Sequence, residues 1–351
     1  MLKGINCLTS EPLFMGSAVG SELRANPLGF IDIGARGGIH PLVEPLAENT
    51  AVLAFDLDEA ECTRLRNSCH RQSPYSVIQI LPLALAGQEG PGTLHRFSAP
   101  VTDSLRPENP AIVQRYNINS LQRKGTTSIR TTTLDKVLFE RKDLVDTCGE
   151  FIKLDAQGVE WEVLNGAEKT LWGRTVAILV EVNFVPFYSD QKLFSEIEMF
   201  LRERGFYFYG FQGLHYRSCK RLNKMVEAGR ERVFWADAVF FKDPLANDVR
   251  QKPLSDRSNY VLFACALLTG YYDFALEVAL KTWAQGEEAR RIEQLVHRVA
   301  HLDPAETYQK LLNLFDRVKA FPESSNFEVG RFVDERRHIN DYDDVPPYRQ
   351  R

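Results

Sequence analysis

From Phe30 onward the chain alternates short β-rich apolar runs with helix-compatible stretches, and this alternation constrains the fold more than any other feature. Parallel strands need long crossover connections, usually helices, so a chain patterned this way folds as a parallel sheet covered by helices. Phe30-Ile-Asp-Ile33 reads as the first strand, Ala51-Val-Leu-Ala-Phe55 as the second and Val77-Ile-Gln-Ile-Leu81 as the third. The charged stretch Glu59 to Arg71 supplies a helix between the second and third. A fourth strand follows at Glu150-Phe-Ile-Lys-Leu154, then a helix over Val159 to Leu171, and a fifth strand at Val176-Ala-Ile-Leu-Val-Glu-Val182. Phe194 to Arg204 is amphipathic and stops at Gly205, a helix terminus. Phe206 to Phe211 and Arg232 to Phe241 read as the last two strands, joined by a link of about 20 residues that suits an antiparallel hairpin better than a crossover. The fold class is therefore α/β, a doubly wound, mostly parallel sheet with an antiparallel last strand.

Around this core the organisation changes. Residues 1–26 read as an N-terminal extension and 27–243 as the main domain. Within the latter, the stretch from about Gly87 to Thr127 is rich in Pro, Gly, Ser and Asn and reads as a long irregular insertion of the kind that shapes a substrate site. After the break at Asp243-Pro-Leu-Ala-Asn-Asp248, residues 250–320 read as a small C-terminal helical domain. There, Ala266 to Glu277 resembles the turn of a tetratricopeptide hairpin, with Gly270 allowing the turn and Ala275 the approach of two helices. Protein docking is an expected use of this domain. Residues 321–351, with Asp341-Tyr-Asp-Asp344 and Pro346-Pro347, read as a polar tail.

Composition narrows the function classes. The 351 residues include 43 Lys and Arg against 47 Asp and Glu, a formal net charge of −4, so no global positive field exists to hold a nucleic acid. The cysteines at 7, 62, 69, 148, 219 and 265 are scattered, with no Cys-x-x-Cys, and indicate buried thiols of a reducing compartment. No apolar run is long enough for a membrane span or secretory leader, which makes the cytoplasm the expected location.

The chemistry concentrates at strand ends. In Phe30-Ile-Asp-Ile-Gly-Ala-Arg-Gly-Gly-Ile39 the first strand runs directly into Gly34, Gly37 and Gly38, which lack a side chain to keep a ligand away. Asp32 falls at the carboxyl edge of the sheet, where open parallel sheets bind ligands. A dinucleotide fingerprint would need glycines at Arg36 and Ile39, so a pyrophosphate cradle is disfavoured, and with it a nicotinamide-dependent oxidoreductase. The second strand ends in Phe55-Asp-Leu-Asp58, where Asp56 can accept both hydroxyls of a ribose; Asp58 could equally cap the following helix.

The most informative segment is Phe151-Ile-Lys-Leu-Asp-Ala-Gln-Gly-Val-Glu-Trp-Glu-Val-Leu-Asn-Gly-Ala167. Through Lys153, Asp155, Gln157, Gly158, Glu160, Leu164, Gly166 and Ala167 it resembles the FkbM-type S-adenosylmethionine-dependent methyltransferases. Pro82-Leu-Ala-Leu-Ala86, Thr132-Thr-Leu-Asp135 and Val180-Glu-Val182 recur in the family's order, so the resemblance spans about Gly29 to Lys242. Two departures stand out: the family usually has Asn where Arg36 stands and often Glu where Asp56 stands.

The resemblance implies a class I methyltransferase (Rossmann-like) fold with S-adenosyl-L-methionine as cofactor, contacted by Asp32, Gly34, Ala35, Arg36, Gly37, Gly38, Asp56, Leu57 and Ala84. It also implies O-methylation of a sugar or glycan, or of a secondary-metabolite hydroxyl. A catalytically silent member serving as a scaffold is the reading from another class.

Methyl transfer to a hydroxyl requires alignment and removal of a poorly acidic proton. Asp155 is the leading group for taking the proton or orienting the substrate, with Lys153 or Glu160 setting its charge state; as an alternative, Asp155 caps the helix near Val159. Glu181, a charge in an otherwise apolar strand, belongs on the substrate side. His40 follows the glycine loop and is a second candidate base, or a structural residue at a helix start. Asp155, Glu160 and Glu181 could converge on a divalent ion, but carboxylates alone do not identify a metal site, and none is expected.

Overall fold

The computed structural model describes residues 2, 4–69, 73–219, 221, 231–246, 253–301 and 304–334. The expected tail features at Asp341–Asp344 and Pro346-Pro347, and the end of the break at Asp248, lie outside the described residues.

Ten strands are present among the described residues: β1 (Leu28–Ile33), β2 (Thr50–Phe55), β3 (Val77–Leu81), β4 (Ala84–Leu85), β5 (Gly90–Phe97), β6 (Arg123–Thr132), β7 (Phe151–Leu154), β8 (Ala177–Asn183), β9 (Phe206–Arg217) and β10 (Arg232–Lys242). Seven form one sheet in the order β3-β2-β1-β7-β8-β10-β9. β3, β2, β1, β7 and β8 pair in parallel, whereas β10 pairs antiparallel with both β8 and β9. This is the α/β, mostly parallel sheet with one reversed strand expected from the alternation, in the class I methyltransferase arrangement. β1 and β2 are buried along their whole length, which is why they read as unbroken apolar runs rather than alternating ones.

The order reverses between β1 and β7, so the carboxyl ends of these two strands diverge into loops on opposite sides and leave a crevice between them. The helix expected over Val159 to Leu171 is two short helices, Glu160–Asn165 and Glu168–Gly173. They break at Gly166, where a Cβ would come 2.4 Å from the Ala86 carbonyl oxygen, so the turn presses directly against the chain after β4.

The insertion is more ordered than its composition suggested. β5 and β6 form a long antiparallel pair, and with β4 they make a separate three-stranded sheet, followed in chain order within the insertion by the helix Pro110–Tyr116 between the two long strands. Phe97, Tyr116, Ile118 and Leu121 from this region bury themselves with Val185, Tyr188 and Phe234, a small core of their own.

Contacts divide the chain into one unit of Met1–Cys219 with Arg232–Val299 and a second of Lys220–Glu231 with Ala300–Arg351. In the first, the helices Asp256–Thr269, Tyr272–Thr282 and Gly286–Ala300 share an apolar core with the N-terminal residues Phe14, Val19 and Leu23 and with Phe30, Phe151 and Phe241 of the sheet. Gly270 closes the first of these helices at φ +88°, and Ala275 is fully buried. Arg257 ties the same region together, donating to both Glu150 oxygens at 2.7 and 3.0 Å, to Glu22 at 2.7 Å and to the Asn26 and Pro27 carbonyls. In the second unit, the helices Pro304–Ala320 and Ser325–Asp334 pack together, with Arg317 paired to Glu328. No helix among the described residues is long and apolar enough to cross a membrane.

Candidate active site

The site begins where β1 ends. Gly34 has φ +83°, and a Cβ on it would stand 2.0 Å from the Asp155 carbonyl oxygen, so only glycine lets the exits of β1 and β7 pass this closely. Gly37 and Gly38 also have positive φ but face open space, so their requirement is conformational. The loop's amides are already used: Gly34 and Ala35 donate to Phe55 O, Gly38 to Ala35 O, and Gly37 to the Glu61 carboxylate at 2.9 Å. A cradle of free N–H groups for phosphate is thus not formed, in keeping with the missing dinucleotide fingerprint.

Asp32 is buried beneath this loop. Its Oδ2 accepts the His40 backbone N–H at 2.8 Å, and its Oδ1 lies 3.3 Å from Lys153 Nζ. Lys153 also donates to the Gly34 carbonyl at 3.2 Å and stands 4.0 Å from Asp155. The His40 imidazole accepts the Leu42 N–H through Nδ1, which makes it the cap of the 3₁₀ segment Pro41–Asn49, and burial holds its pKa below the usual value.

At the end of β2, Asp56 and Asp58 divide the two roles open to them. Asp58 Oδ1 accepts the N–H groups of Ala60 and Glu61, capping the helix Glu59–Cys69. Asp56 faces the crevice, with Oδ1 accepting the Asp58 N–H at 2.8 Å, and its burial pushes its carboxyl pKa up. Arg36 reaches both, 2.8 Å from Asp58 and 3.5 Å from Asp56, so the cation that departs from the family pattern is neutralised locally.

The end of β7 is built around two consecutive left-handed residues, Gln157 at φ +53° and Gly158 at φ +94°. Such a conformation is unusual for glutamine and is held by several contacts. Gln157 Nε2 donates to Asp155 Oδ1 at 2.6 Å, Ser104 donates to the Gln157 carbonyl at 2.6 Å, and the Tyr188 hydroxyl lies 3.0 Å from Gln157 Oε1. A Cβ on Gly158 would collide with the Tyr188 ring at 2.5 Å. Glu160, not Asp155, turns back onto the loop, accepting the N–H groups of Ala156 and Gly158. The helix Glu160–Asn165 has Val159 at its cap position with no side-chain bond. The recorded partners of the Asp155 carboxylate are the side chains of Gln157 and Lys153.

Carboxylates crowd this end. Oxygens of Asp155, Glu160 and Glu181 lie within 4.8 Å of one another, and Asp237 on β10 sits opposite Glu181 in the register. Burial, then the neighbouring acids, pushes Glu160 up to about 7 and Asp237 up to about 6, and raises Glu181 well above the ordinary carboxylate range.

The ends of β1, β2, β7 and β8 open onto one cavity of about 550 Å³. Of the residues singled out in the sequence, Gly34, Arg36, Asp56, Leu57, Ala84, Asp155 and Glu181 line it, whereas Asp32, Ala35, Gly37, Gly38, His40 and Lys153 do not. The rest of the wall was not legible in sequence: the segment Pro100–Leu105 of the insertion, Asn183, Phe187, Tyr188, Arg217 and Trp235. The insertion's length pointed toward Pro100–Leu105 alone; nothing in the sequence pointed to the others.

No curated protein matches the chain. Among solved structures it is similar to a methyltransferase FkbM from Methylobacillus flagellatus KT, at 14% identity and a TM-score of 0.35 over 66% of this chain and 48% of that one. The chain thus spans about half the length of that protein. It is also similar to magnesium protoporphyrin IX methyltransferase from Synechocystis PCC 6803 with bound SAM, at 11% identity and a TM-score of 0.29 over 64% and 74% of the two chains. A third is M. capricolum TrmK in complex with S-adenosyl-homocysteine, at 7% identity and a TM-score of 0.31 over 80% and 94%. The sequence model of the methyltransferase FkbM domain matches residues 24–208, from the helix before β1 to the start of β9, and so takes in every strand end that lines the crevice except those of the final hairpin. With more than half of its length matched in this way, the chain belongs to the FkbM methyltransferase family.

Proposed function

We propose that the protein is an O-methyltransferase that moves a methyl group to a hydroxyl of a sugar, a glycan or a secondary metabolite. Family membership brings S-adenosylmethionine as the cofactor. The observation that carries the reading is a single cavity lined at the β2 end by Asp56 and Leu57 and at the β7 and β8 ends by Asp155, Glu181 and Asn183. The residues at the first end fit the cofactor. Asp56 spends Oδ1 on the Asp58 N–H and has a second oxygen for ribose hydroxyls, while Gly34 presents bare backbone and Leu57 and Ala84 an apolar wall.

When bound, that cofactor supplies an electrophilic methyl group on a positively charged sulfur. The protein's own groups do the rest. Asp155, aligned by the Gln157 amide, accepts the hydroxyl proton as the oxygen is methylated. Glu181, whose charged form burial and the neighbouring acids disfavour, lies on the cavity wall where a hydrogen bond to it orients the acceptor. Lys153 and Asp32 hold the exits of β1 and β7 together from below, and His40 supports Asp32 through its backbone. A scaffold with the same fold would have no use for this arrangement of carboxylates in a cavity.

Two measurements test the reading. Calorimetric titration with S-adenosylhomocysteine should show binding that Asp56→Ala weakens by about 1.5–3 kcal/mol, the worth of charge-assisted hydrogen bonds. Incubation of a hydroxyl-acceptor panel with methyl-labelled S-adenosylmethionine should then give label on oxygen, read as a methoxy signal by NMR. Absence of cofactor binding by folded protein would favour the scaffold, and label on nitrogen or carbon would overturn O-methylation.

A further inference from the structure

The acceptor end of the cavity contains a cation that the proposed chemistry does not use. Two arginines line the cavity. Arg36 is neutralised by Asp56 and Asp58. Arg217, at the end of β9, has no acidic partner among the described residues, and burial alone depresses its guanidinium pKa. Of the acids on this part of the wall, Asp103 pairs with Arg96 at 3.1 Å and accepts the Phe97 N–H, Asp155 is held by Gln157, and Glu181 lies where burial and neighbouring acids disfavour its charge. A half-buried guanidinium facing a cavity, with no carboxylate among the described residues to meet it, is a place for an anion.

Beside it lies a flat apolar wall. The Trp235 indole, on the neighbouring strand, stacks on His215 at 4.6 Å with the planes 6° apart, and Phe187 packs edge-on against it at 5.8 Å. Trp235 and Phe187 both line the cavity. A tryptophan fixed on one side by stacking has little freedom to turn, and it offers a rigid surface to the flat face of a ring.

We propose that the acceptor is anionic: a ring-bearing hydroxyl compound whose carboxylate or phosphate pairs with Arg217 while its ring lies against Trp235. This deepens, and rests on, the methyltransferase reading. Arg217 then acts as a specificity determinant that turns the acceptor so that its hydroxyl points toward Asp155. A planar guanidinium holds either anion through paired N–H groups, which a lysine cannot reproduce.

The test uses the full chain saturated with S-adenosylhomocysteine and calorimetric titration with matched probes. Methyl β-D-glucuronide supplies the carboxylate, glucose 6-phosphate the phosphate, and methyl β-D-glucoside neither. At least one charged probe should bind about tenfold or more tightly than the neutral one, a difference that Arg217→Gln abolishes and Arg217→Lys keeps only in part. The stronger of the two charged probes assigns the anion. Equal affinity for charged and neutral probes, no binding of any probe at millimolar concentration, or a preference that survives Arg217→Gln would overturn the proposal. Binding of S-adenosylhomocysteine, measured on the same samples, separates the outcomes: if it is retained, the acceptor inference fails alone, and if it is absent the methyltransferase reading fails first.

Discussion

Lys153 Nζ stands 3.3 Å from Asp32 Oδ1, and this pair joins the two strands between which the sheet order reverses. Burial opposes the charge on Lys153, but Asp32 and Asp155 outweigh it and its pKa rises. The Oδ1 atom of Asp32 is buried with no hydrogen-bond partner, so its electrostatic neighbour is all that compensates it. Lys153→Met should therefore cost about 3–5 kcal/mol of stability, the penalty for stranding one half of a buried pair. Denaturant unfolding checks this; a loss below about 1 kcal/mol would show that the pair is solvated.

Asp155→Asn separates catalysis from architecture. The variant preserves shape and keeps a side chain able to bond Gln157, while the negative charge is lost. Turnover of an identified acceptor should fall by about a hundredfold or more, with S-adenosylhomocysteine affinity little altered. Because Glu160 rather than Asp155 takes the loop amides, the midpoint of thermal unfolding should stay near that of the parent. Near-normal single-turnover rates would move the proton to another group.

The acid-rich end should also give a pH signature. Burial, and then the neighbouring Asp155 charge, push the Asp237 carboxyl up to about 6 from its ordinary 3.8. A group whose pKa is raised on folding favours the protonated fold, so its contribution is fully present below about pH 4 and is lost as pH climbs through 6. Wild-type stability should therefore fall across that window by on the order of 2 kcal/mol from this group, and Asp237→Asn should flatten the fall. Unfolding midpoints compared at several pH values decide it; identical slopes would mean that Asp237 does not titrate there.

Removing everything after Asp243 should leave a chain that aggregates. Truncation uncovers Phe14, Leu23, Phe30 and Phe241, which share a core with Val261, Phe263 and Leu295, and it strips Arg257 from buried Glu150. A soluble, monodisperse fragment that binds S-adenosylhomocysteine would instead support an independent domain ending at residue 243.

The main sheet was legible because its strands are apolar and sharply bounded, as in Phe30-Ile-Asp-Ile33 running into Gly34. β6 was not, since Arg123 to Ser128 is exposed throughout; its strand geometry comes from pairing with β5 rather than from burying one face. β9 likewise extends beyond Phe211 through Gln212, Gly213 and His215 because β10 pairs with it. In the site, Asp56, Asp155 and Glu181 could be read from their places at strand ends. Ser104 meeting Gln157, or His215 stacking on Trp235, could not, because such encounters join segments far apart in sequence or depend on hairpin register.

The Tyr188 hydroxyl has two carbonyl oxygens in reach, that of Thr102 at 2.8 Å and the side-chain oxygen of Gln157 at 3.0 Å. A phenol has one proton, so it can donate to only one of them at a time. Thr102 belongs to the insertion segment that lines the cavity, and Gln157 donates to Asp155. The insertion wall and the end of β7 thus draw on a single proton, and whenever Thr102 gives up its share, Gln157 is gripped more firmly.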